Sequence, residues 1–244
     1  MDRNTTDFTQ KLAICTDIEQ SRDLMRVELD KLGFTSFIYA QVIKNADGSM
    51  ADVISADTLR PDWMEFYFSH GLVDKDYATF YCMQSTTGVD FAGMFNEINI
   101  NPELEGFRTA AEATQDFGYK NGRSIPITHM KRRSSLLTIY SPTETNTCEH
   151  IANIELNHAT LSNLIEAFDA QMDLLNLGIF HYGLTGREIE VLKWLSDGHM
   201  PKHIAEKTST SVNTINKQIL SAKSRLECVT TTQAVAKALI LGII

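Results

Sequence analysis

The amino-acid sequence predicts two domains of different fold class, an α+β domain followed by an all-α domain of four helices. Residues 1–175 alternate between helical patterns and runs of β-branched and aromatic residues, which predicts an antiparallel sheet flanked by helices. Residues 184–244 contain four short segments with helical periodicity and helix-capping residues. Residues 176–183, with two glycines, are the predicted linker between the two domains.

The elements of the first domain follow from periodicity and from turn residues. Apolar residues at helical spacing indicate helices, whereas β-branched and aromatic runs indicate strands. The turn signal Asn45-Ala46-Asp47-Gly48 joins two of the strands into a predicted hairpin. In chain order, the predicted elements are helix 8–32 with a break near 16–17, strands 34–43 and 50–55, a helix from Pro61, an irregular region 70–101, helix 102–117, strands 123–128 and 135–140, and helix 154–175.

The last quarter of the chain carries the local signals of short, closely packed helices. Thr185-Gly186-Arg187-Glu188 has the spacing of a capping box. Gly198 ends the first helix, Pro201 suits the first turn of the second, and Ser211 is the expected N-cap of the third. The predicted buried face of that third helix consists of Val212, Ile215, Ile219, Ala222 and Leu226.

The outer face of the third helix is polar and basic. A short helix, a tight break and an amphipathic helix with such a face are typical of a helix-turn-helix that binds DNA. A helical bundle that binds nothing is the alternative interpretation. Asparagine can pair with adenine, and lysine can reach guanine or a phosphate. The candidate DNA contacts are Lys202, Asn213, Thr214, Asn216, Lys217, Leu220, Lys223 and Arg225.

The net charge of −9 is unevenly divided along the chain. Residues 181–244 contain eight Lys or Arg and five Asp or Glu and so carry +3, whereas the preceding residues contain 14 and 26 and carry −12. Only the C-terminal part has the sign that a phosphate backbone attracts. This asymmetry indicates a regulatory domain joined to a DNA-binding domain that is only mildly basic, so binding to double-stranded DNA is expected to need two copies.

The C-terminal domain resembles the LuxR-type helix-turn-helix over its whole length. The residues that carry the resemblance are Leu184-Thr185-x-Arg187-Glu188-x-x-Val191-Leu192, Gly198, Ile204-Ala205, Ser211-x-x-Thr214-Ile215, Leu226 and Gln233-Ala234-Val235. Two positions depart from the family, Gln218 in place of its usual His and Thr231 in place of a frequent Arg, and both bear on phosphate contacts. The resemblance implies that Asn216, Lys217 and Leu220 face the major groove.

One cluster stands out in the first domain. Trp63 and Tyr67 lie one helical turn apart, and Asp76 follows nine residues later. A buried Asp needs a hydrogen-bond donor, which the N–H of a ligand could supply. Taken by themselves, however, these residues favour the plainer interpretation, in which the two aromatic residues belong to the core and Asp76 caps a turn.

The same spacing is similar to the acyl-homoserine-lactone-binding domain of LuxR-type quorum-sensing receptors. Gly122, and Thr138 sixteen residues after it, also fit that domain. The resemblance implies that Trp63 donates to the lactone carbonyl, that Asp76 accepts from the amide N–H, and that Tyr67 donates to the amide carbonyl. It also implies that Thr138 lies in the pocket.

Three positions depart from that family pattern. Tyr77 stands where the family has Pro after the Asp, Phe91 where it has a second pocket Trp, and Leu59 where a Tyr is frequent. Phe91 lacks an N–H donor but retains a flat apolar wall. Phe91 and Leu59 complete the set of candidate ligand contacts, and the departures leave open an altered lactone, a different signal or none.

The resemblance implies a transcriptional regulator that is not an enzyme. Its expected partners are double-stranded promoter DNA, a second copy of the chain and a small autoinducer, with no cofactor, no metal and no membrane. The homodimer is expected to involve the helix ending near Leu175. The four cysteines are scattered along the sequence, which is typical of reduced thiols in the cytoplasm. No apolar run approaches the ~20 residues that span a bilayer.

Two other functions remain as alternatives. The chain is a ligand-independent dimeric transcription factor if its first domain is a protein-interaction module and its aromatic residues are only core. An enzyme that acts on an acyl lactone is disfavoured, because the sequence shows no nucleophile–base pair and no set of metal ligands.

Overall fold

A computed structural model describes residues 3–244 of the chain, with side chains from residue 6 onward. The contacts divide the chain into two units, 1–175 and 176–244. The first unit contains an antiparallel sheet flanked by helices, and the second is all-helical, so the predicted fold class of each is confirmed.

The sheet of the first unit contains five strands, β1 (Ser36–Lys44), β2 (Met50–Asp57), β3 (Val89–Asp90), β4 (Gly122–His129) and β5 (Arg133–Tyr140). Their order across the sheet is β2-β1-β5-β4-β3, and every pair is antiparallel. Strands β1 and β2 form the predicted hairpin. Its turn contains Gly48 with a φ of 89°, a conformation that residues with a Cβ rarely adopt.

The helices of the first unit lie on both sides of the sheet. Within the described residues they are α1 (Arg3–Ala13), α2 (Ile18–Lys31), α3 (Pro61–Ser69), α4 (Tyr77–Gln84), α5 (Phe91–Ile100), α6 (Arg108–Asp116), α7 (Thr147–Leu156) and α8 (His158–Leu175). The predicted break between the first two helices is confirmed, since Asp17 caps α2 by accepting from the backbone N–H of Gln20.

The two faces of the sheet have different neighbours. On one face α8 packs, and the ring of its Phe168 lies 5.6 Å from those of Phe37 and Tyr39. The Tyr39 hydroxyl also donates to Asp169 of α8 over 2.7 Å. Because neighbouring strand residues point to opposite faces, Ile38 lies on the other side, where it packs with residues of α3–α6. That second face bounds the cavity described below.

The prediction that residues 70–101 are irregular is wrong. The segment contains α4, α5 and a 3₁₀ turn at Leu72–Lys75. Helix α4 has only eight residues. Its own apolar side chains point in all directions, with Tyr77 and Cys82 buried and Phe80 exposed. The sequence of α4 therefore lacks the single apolar face by which a helix is predicted. Its start is fixed by Asp76, which caps the helix by accepting from the backbone N–H groups of Ala78 and Thr79.

Two other helices begin differently from the prediction. The helix predicted over 154–175 is interrupted at Asn157, whose side-chain amide donates to the backbone carbonyl of Asn153 over 2.9 Å. Such a local bond offers the backbone an alternative to the helix and separates α7 from α8. The helix predicted over 102–117 starts as a 3₁₀ segment, Pro102–Phe107, before α6.

The second unit consists of helices α9 (Leu177–Tyr182), α10 (Gly186–Ser196), α11 (Pro201–Lys207), α12 (Val212–Arg225) and α13 (Thr231–Ile240). The predicted capping box is present, since Thr185 and Glu188 exchange hydrogen bonds at the start of α10. Ser211 caps α12, as predicted, by accepting from the backbone N–H of Thr214.

Two features of the second unit differ from the expectations. Within residues 176–183, predicted as a linker, Leu177–Tyr182 form α9, and the whole segment belongs to this unit. Val212, assigned to the buried face of the third helix, is 41% exposed because the first residue of α12 lies beyond the reach of the core. Among the described residues, no helix combines the length and the apolar character needed to cross a membrane.

Candidate functional site

A cavity lies in the first unit between the sheet and helices α3–α6. Strands β1, β2, β4 and β5 line one side of it, and the helices and their connections line the other. Its volume is about 50 Å³. A cavity of this size holds only a few water molecules. All six candidate ligand contacts line it, namely Leu59, Trp63, Tyr67, Asp76, Phe91 and Thr138.

Tyr67 and Asp76 form the central polar pair of the cavity. The Tyr67 hydroxyl donates to Oδ2 of Asp76 over 2.8 Å. Oδ1 of Asp76 accepts from the backbone N–H of Ala78 at 2.9 Å, and Oδ2 also accepts from the Thr79 hydroxyl at 3.1 Å. Burial, together with the charge of Asp76, raises the pKa of Tyr67 well above its usual value, so the phenol remains a donor. Asp76 is therefore both the cap of α4 and an acceptor facing the cavity.

Trp63 lies one turn before Tyr67 on α3, a helix whose start is set by Pro61. Trp63 is 3% exposed, and the centroid of its ring lies 5.4 Å from that of Tyr67 and 4.9 Å from that of Phe117. Within the described part of the chain, no hydrogen bond uses its indole N–H. Trp63 lines the cavity, and its indole N–H has no partner in this part of the chain.

Phe91, the first residue of α5, forms an apolar wall of the cavity. Its ring contacts that of Tyr140 edge to face at a centroid distance of 5.6 Å. This packing depends on Gly122, because a Cβ at that position would lie 3.0 Å from Tyr140 and 3.1 Å from Phe91. The glycine that the family resemblance singled out therefore leaves room for two cavity rings.

Thr138 and Leu59 occupy two further parts of the lining. The hydroxyl of Thr138 lies 2.6 Å from that of Ser124, its neighbour on β4, and both residues are buried. Their mutual hydrogen bond leaves one hydrogen free for a third group. Leu59 is 7% exposed and packs in the same apolar cluster as Trp63.

Sequence reasoning missed Tyr140 as a lining residue. It lies two residues after Thr138 on β5, and alternate residues of a strand share one face. The strand itself was predicted, so this alternation was the signal that could have found it. Tyr140 is 6% exposed and lines the cavity together with Leu136 and Thr138.

The candidate DNA contacts lie mainly on the outer surface of α12. Leu220 is 63% exposed there, although it is apolar. Lys202 is exposed near the start of α11, and Lys223 is half-buried. The exposed candidates on α12 are Asn213, Thr214, Asn216, Lys217 and Leu220, with Arg225 at the end of the helix.

Arg225 has partners inside the second unit. Its Nε lies 3.2 Å from Oε1 of Glu188, and its guanidinium donates to the carbonyl of Gly183. Oε1 of Glu188 also accepts from the Ser221 hydroxyl at 2.6 Å. Burial acts to raise the pKa of Glu188, but hydrogen bonds from Ser221 and Thr185 and the charge of Arg225 leave it below its usual value. This network fastens the end of α12 to the start of α10.

Among the described residues, no group of three or more His, Cys, Asp or Glu is arranged to hold a metal ion.

The first unit is an α+β fold with a cavity lined by a Trp–Tyr–Asp cluster, and the second is a helix-turn-helix. This combination defines a class of DNA-binding regulators with a sensory domain. Residues 17–171 match the family model of the autoinducer binding domain. Residues 183–238 match that of bacterial regulatory proteins of the luxR family. The chain belongs to the LuxR family, and it is a DNA-binding transcriptional regulator with an autoinducer-binding domain, not an enzyme.

Solved structures share this fold. The chain is similar to Escherichia coli SdiA with a TM-score of 0.55 and 15% identity, covering 98% of this chain and 97% of that chain. For SdiA in complex with octanoyl-rac-glycerol the TM-score is 0.56 at 15% identity, covering 97% and 93%. The N-acylhomoserine lactone dependent LuxR family transcription factor CepR2 from Burkholderia cenocepacia gives 0.55 at 16% identity, covering 68% and 91%. Among curated proteins, none matches the sequence significantly.

Proposed function

We propose that the first unit binds an N-acyl homoserine lactone, or a chemically related acyl signal, and that binding changes the affinity of the second unit for promoter DNA. One observation carries the proposal. The residues expected to contact such a ligand, which are far apart in the sequence, line a single cavity. The dependence of the similar CepR2 on N-acylhomoserine lactone supports the same ligand class.

The Tyr67–Asp76 pair suits an amide. A ligand N–H can donate to Asp76 while the ligand carbonyl accepts from Tyr67, so two hydrogen bonds replace the one now joining the side chains at 2.8 Å. The bond to Asp76 is charge-assisted and therefore stronger than one between neutral groups. Because the Asp76 carboxylate stays fixed by the backbone of α4, it is positioned before the ligand arrives.

The remaining lining suits a lactone head and an acyl chain. The indole N–H of Trp63 is available to the lactone carbonyl, and the hydrogen-bonded pair Ser124–Thr138 has one hydroxyl hydrogen to offer. Leu59 and Phe91 supply apolar surface for the chain. Because the cavity measures only about 50 Å³, side chains move apart when the signal enters, and the ligand then becomes part of the core.

The second unit is proposed to read double-stranded DNA through α12. Asn216 and Lys217 are exposed there and have the chemistry to contact base edges and phosphates. Lys202, on the helix before, and Lys223 add positive charge. Further contacts are assigned to Asn213, Thr214, Leu220 and Arg225.

The working form is proposed to be a homodimer in the cytoplasm. A charge of +3 on residues 181–244 is small for tight DNA binding, and two copies double the number of phosphate contacts. The four cysteines form no disulfide in the structure, which suits a reducing compartment.

The proposal is tested by a mobility shift with a DNA site selected by the protein from a random pool. At a concentration that just saturates the wild type, we expect an N-acyl homoserine lactone to change the dissociation constant for this site in the wild type and to change it much less in Asp76→Asn. Equal DNA binding with and without every lactone tested, in protein purified from a host that makes none, would contradict the proposal.

A ligand-independent regulator is the second candidate. It is favoured by the small volume of the cavity and by the Tyr67–Asp76 hydrogen bond, which satisfies both groups without a ligand. This function predicts a stable dimer that binds its DNA site at full affinity and whose melting temperature no acyl compound changes.

A further inference from the structure

Tyr140 is a polar residue of the cavity that the proposed amide and lactone contacts leave unused. It ends β5 and is 6% exposed. Its ring lies 5.6 Å from Phe91 and 4.8 Å from Tyr119, measured between centroids. Its side chain shares the cavity face of the strand with Thr138, two residues earlier.

The Tyr140 hydroxyl lacks a hydrogen-bond partner within the described part of the chain. Two neighbouring tyrosines are different in this respect. The Tyr67 hydroxyl donates to Asp76 over 2.8 Å, and the Tyr119 hydroxyl accepts from the backbone N–H of Arg60 over 3.0 Å. A ligand that fills the cavity shields this hydroxyl from water, and a shielded hydroxyl without a partner costs free energy, so the ligand is expected to supply the partner.

The Tyr140 side chain lines the same cavity as the polar pair Tyr67 and Asp76. Burial first, and then the charge of Asp76, raises the pKa of Tyr140 well above its usual value. Tyr140 in turn contributes to the raised pKa of Tyr67. Since both phenols stay protonated at neutral pH, Tyr140 carries a hydrogen that it can donate.

The ring of Tyr140 is held in position by its packing against Phe91. The Phe91 ring contributes no N–H to its side of the cavity, and the Tyr140 ring packs edge to face against it. A hydroxyl next to an apolar wall is a polar group of the kind that fixes the orientation of a ligand.

We propose that Tyr140 is a specificity-determining residue whose hydroxyl donates a hydrogen bond to an oxygen atom in the head group of the signal. This inference rests on the proposed function, since it assumes an acyl ligand with its amide at Asp76. A head group without oxygen leaves the hydroxyl unpaired in a closed cavity. Sites built in this way discriminate against such analogues.

The test compares two ligands with the same acyl chain, an N-acyl homoserine lactone and the N-acyl cyclopentylamine, whose ring has no oxygen. Calorimetry on the full-length protein gives the dissociation constants. We expect Tyr140→Phe to weaken binding of the lactone by about 2- to 12-fold, the range typical of one hydrogen bond between neutral groups. Binding of the cyclopentylamine should not weaken, because Tyr140 makes no hydrogen bond to that ligand.

Tyr119→Phe is the matched control, since it removes a hydroxyl from the same aromatic cluster that already has a partner in Arg60. It should change the affinities for the two ligands by the same factor. The inference is contradicted if Tyr140→Phe binds the lactone as tightly as the wild type does, or if its affinities for the lactone and for the cyclopentylamine fall by the same factor.

Asp76→Asn separates this inference from the proposed function. If Asp76→Asn weakens lactone binding and Tyr140→Phe does not, the proposed function stands and the role of Tyr140 is overturned. If the wild type binds neither ligand, the proposed function fails and the role of Tyr140 fails with it.

Discussion

The hydroxyl of Tyr67 donates to Oδ2 of Asp76 over 2.8 Å and thereby ties the middle of α3 to the start of α4. The same carboxylate accepts backbone N–H groups of α4 through its other oxygen. Oδ1 of Asp76 therefore stabilises the start of α4, whereas Oδ2 forms the hydrogen bond with Tyr67 in the cavity. Substitutions that keep or remove its side-chain oxygen can separate the two roles.

Asp76→Asn should retain the cap and weaken binding of the ligand. Asn keeps an oxygen for the N–H groups of Ala78 and Thr79 but has no charge, so the melting temperature without ligand should stay near that of the wild type. Asp76→Ala should lower the free energy of unfolding by about 0.5–2 kcal/mol. Both should weaken binding of an acyl amide by roughly 10- to 100-fold, because each removes a hydrogen bond to a charged group. Full affinity in Asp76→Asn, measured by calorimetry, would show that the carboxylate does not contact the ligand.

Gly122→Ala should disturb the ring packing at Phe91 and Tyr140. The new Cβ would lie 3.0–3.1 Å from both rings, which is closer than van der Waals contact. Overpacking of this kind typically lowers the free energy of unfolding by about 1–3 kcal/mol, which chemical denaturation would detect. Gly93→Ala is the control, because nothing lies within 4 Å of a Cβ there and the residue is inside α5. It should leave stability unchanged or raise it by up to about 1 kcal/mol.

Glu188→Gln should weaken the second unit in a pH-dependent manner. The folded pKa of Glu188 lies below its ordinary value of 4.5, so ionised Glu188 stabilises the fold above pH 4.5. That contribution disappears as the pH falls through the folded pKa. Glu188→Gln should therefore lower the free energy of unfolding by about 1.5–3 kcal/mol at neutral pH, and this difference from the wild type should become smaller in acid.

The Glu188 prediction can be measured on one unit at a time. The chain has two tryptophans, so Trp63→Phe leaves Trp194 as the fluorescent probe of the second unit. Unfolding curves for Glu188→Gln and its parent, both in this background, should converge below pH 4.5. A difference that stays constant over the whole pH range would mean that the charge of Glu188 does not stabilise the unit.

Lys217→Ala should weaken DNA binding and reduce its dependence on salt. The slope of log K for DNA binding against log salt concentration is negative, and removing one lysine–phosphate interaction reduces its magnitude by about 0.9. The substitution removes two such interactions from a dimer. Lys193→Ala, exposed on α10, is the matched control and should leave the slope unchanged. Mobility shifts at several salt concentrations provide both slopes. Identical slopes for Lys217→Ala and the wild type would exclude a phosphate interaction of Lys217.

Local signals in the sequence were sufficient for much of the fold. Capping residues such as Thr185 and Ser211 act within a few residues of where they stand, so the helix boundaries of the second unit could be predicted. The hairpin was predictable for the same reason, from its turn. Helix α4 was not predicted because its apolar residues lie all around the helix and not on one face. The break between α7 and α8 was not predicted because the hydrogen bond of Asn157 to Asn153 interrupts a sequence pattern that is continuous for one helix.

The candidate site was predictable where residues share one element. Trp63 and Tyr67 lie one turn apart on α3, so their common face follows from spacing. The plainer interpretation of Asp76 as a cap is correct, but its contact with Tyr67 brings it to the cavity as well. The small size of the cavity and the unpaired hydroxyl of Tyr140 depend on packing between distant segments, which no local pattern encodes.

The central claim is that the first unit binds an acyl signal, and thermal unfolding tests it most directly. The protein would be purified from a host that makes no signal and melted with and without a panel of N-acyl homoserine lactones. A ligand that binds only the folded state adds about 2.7 kcal/mol of stability at a hundred times its dissociation constant. We predict a clear rise in melting temperature for a subset of chain lengths in the wild type and a much smaller rise in Asp76→Asn. A well-folded wild type whose melting temperature no lactone changes would contradict the account.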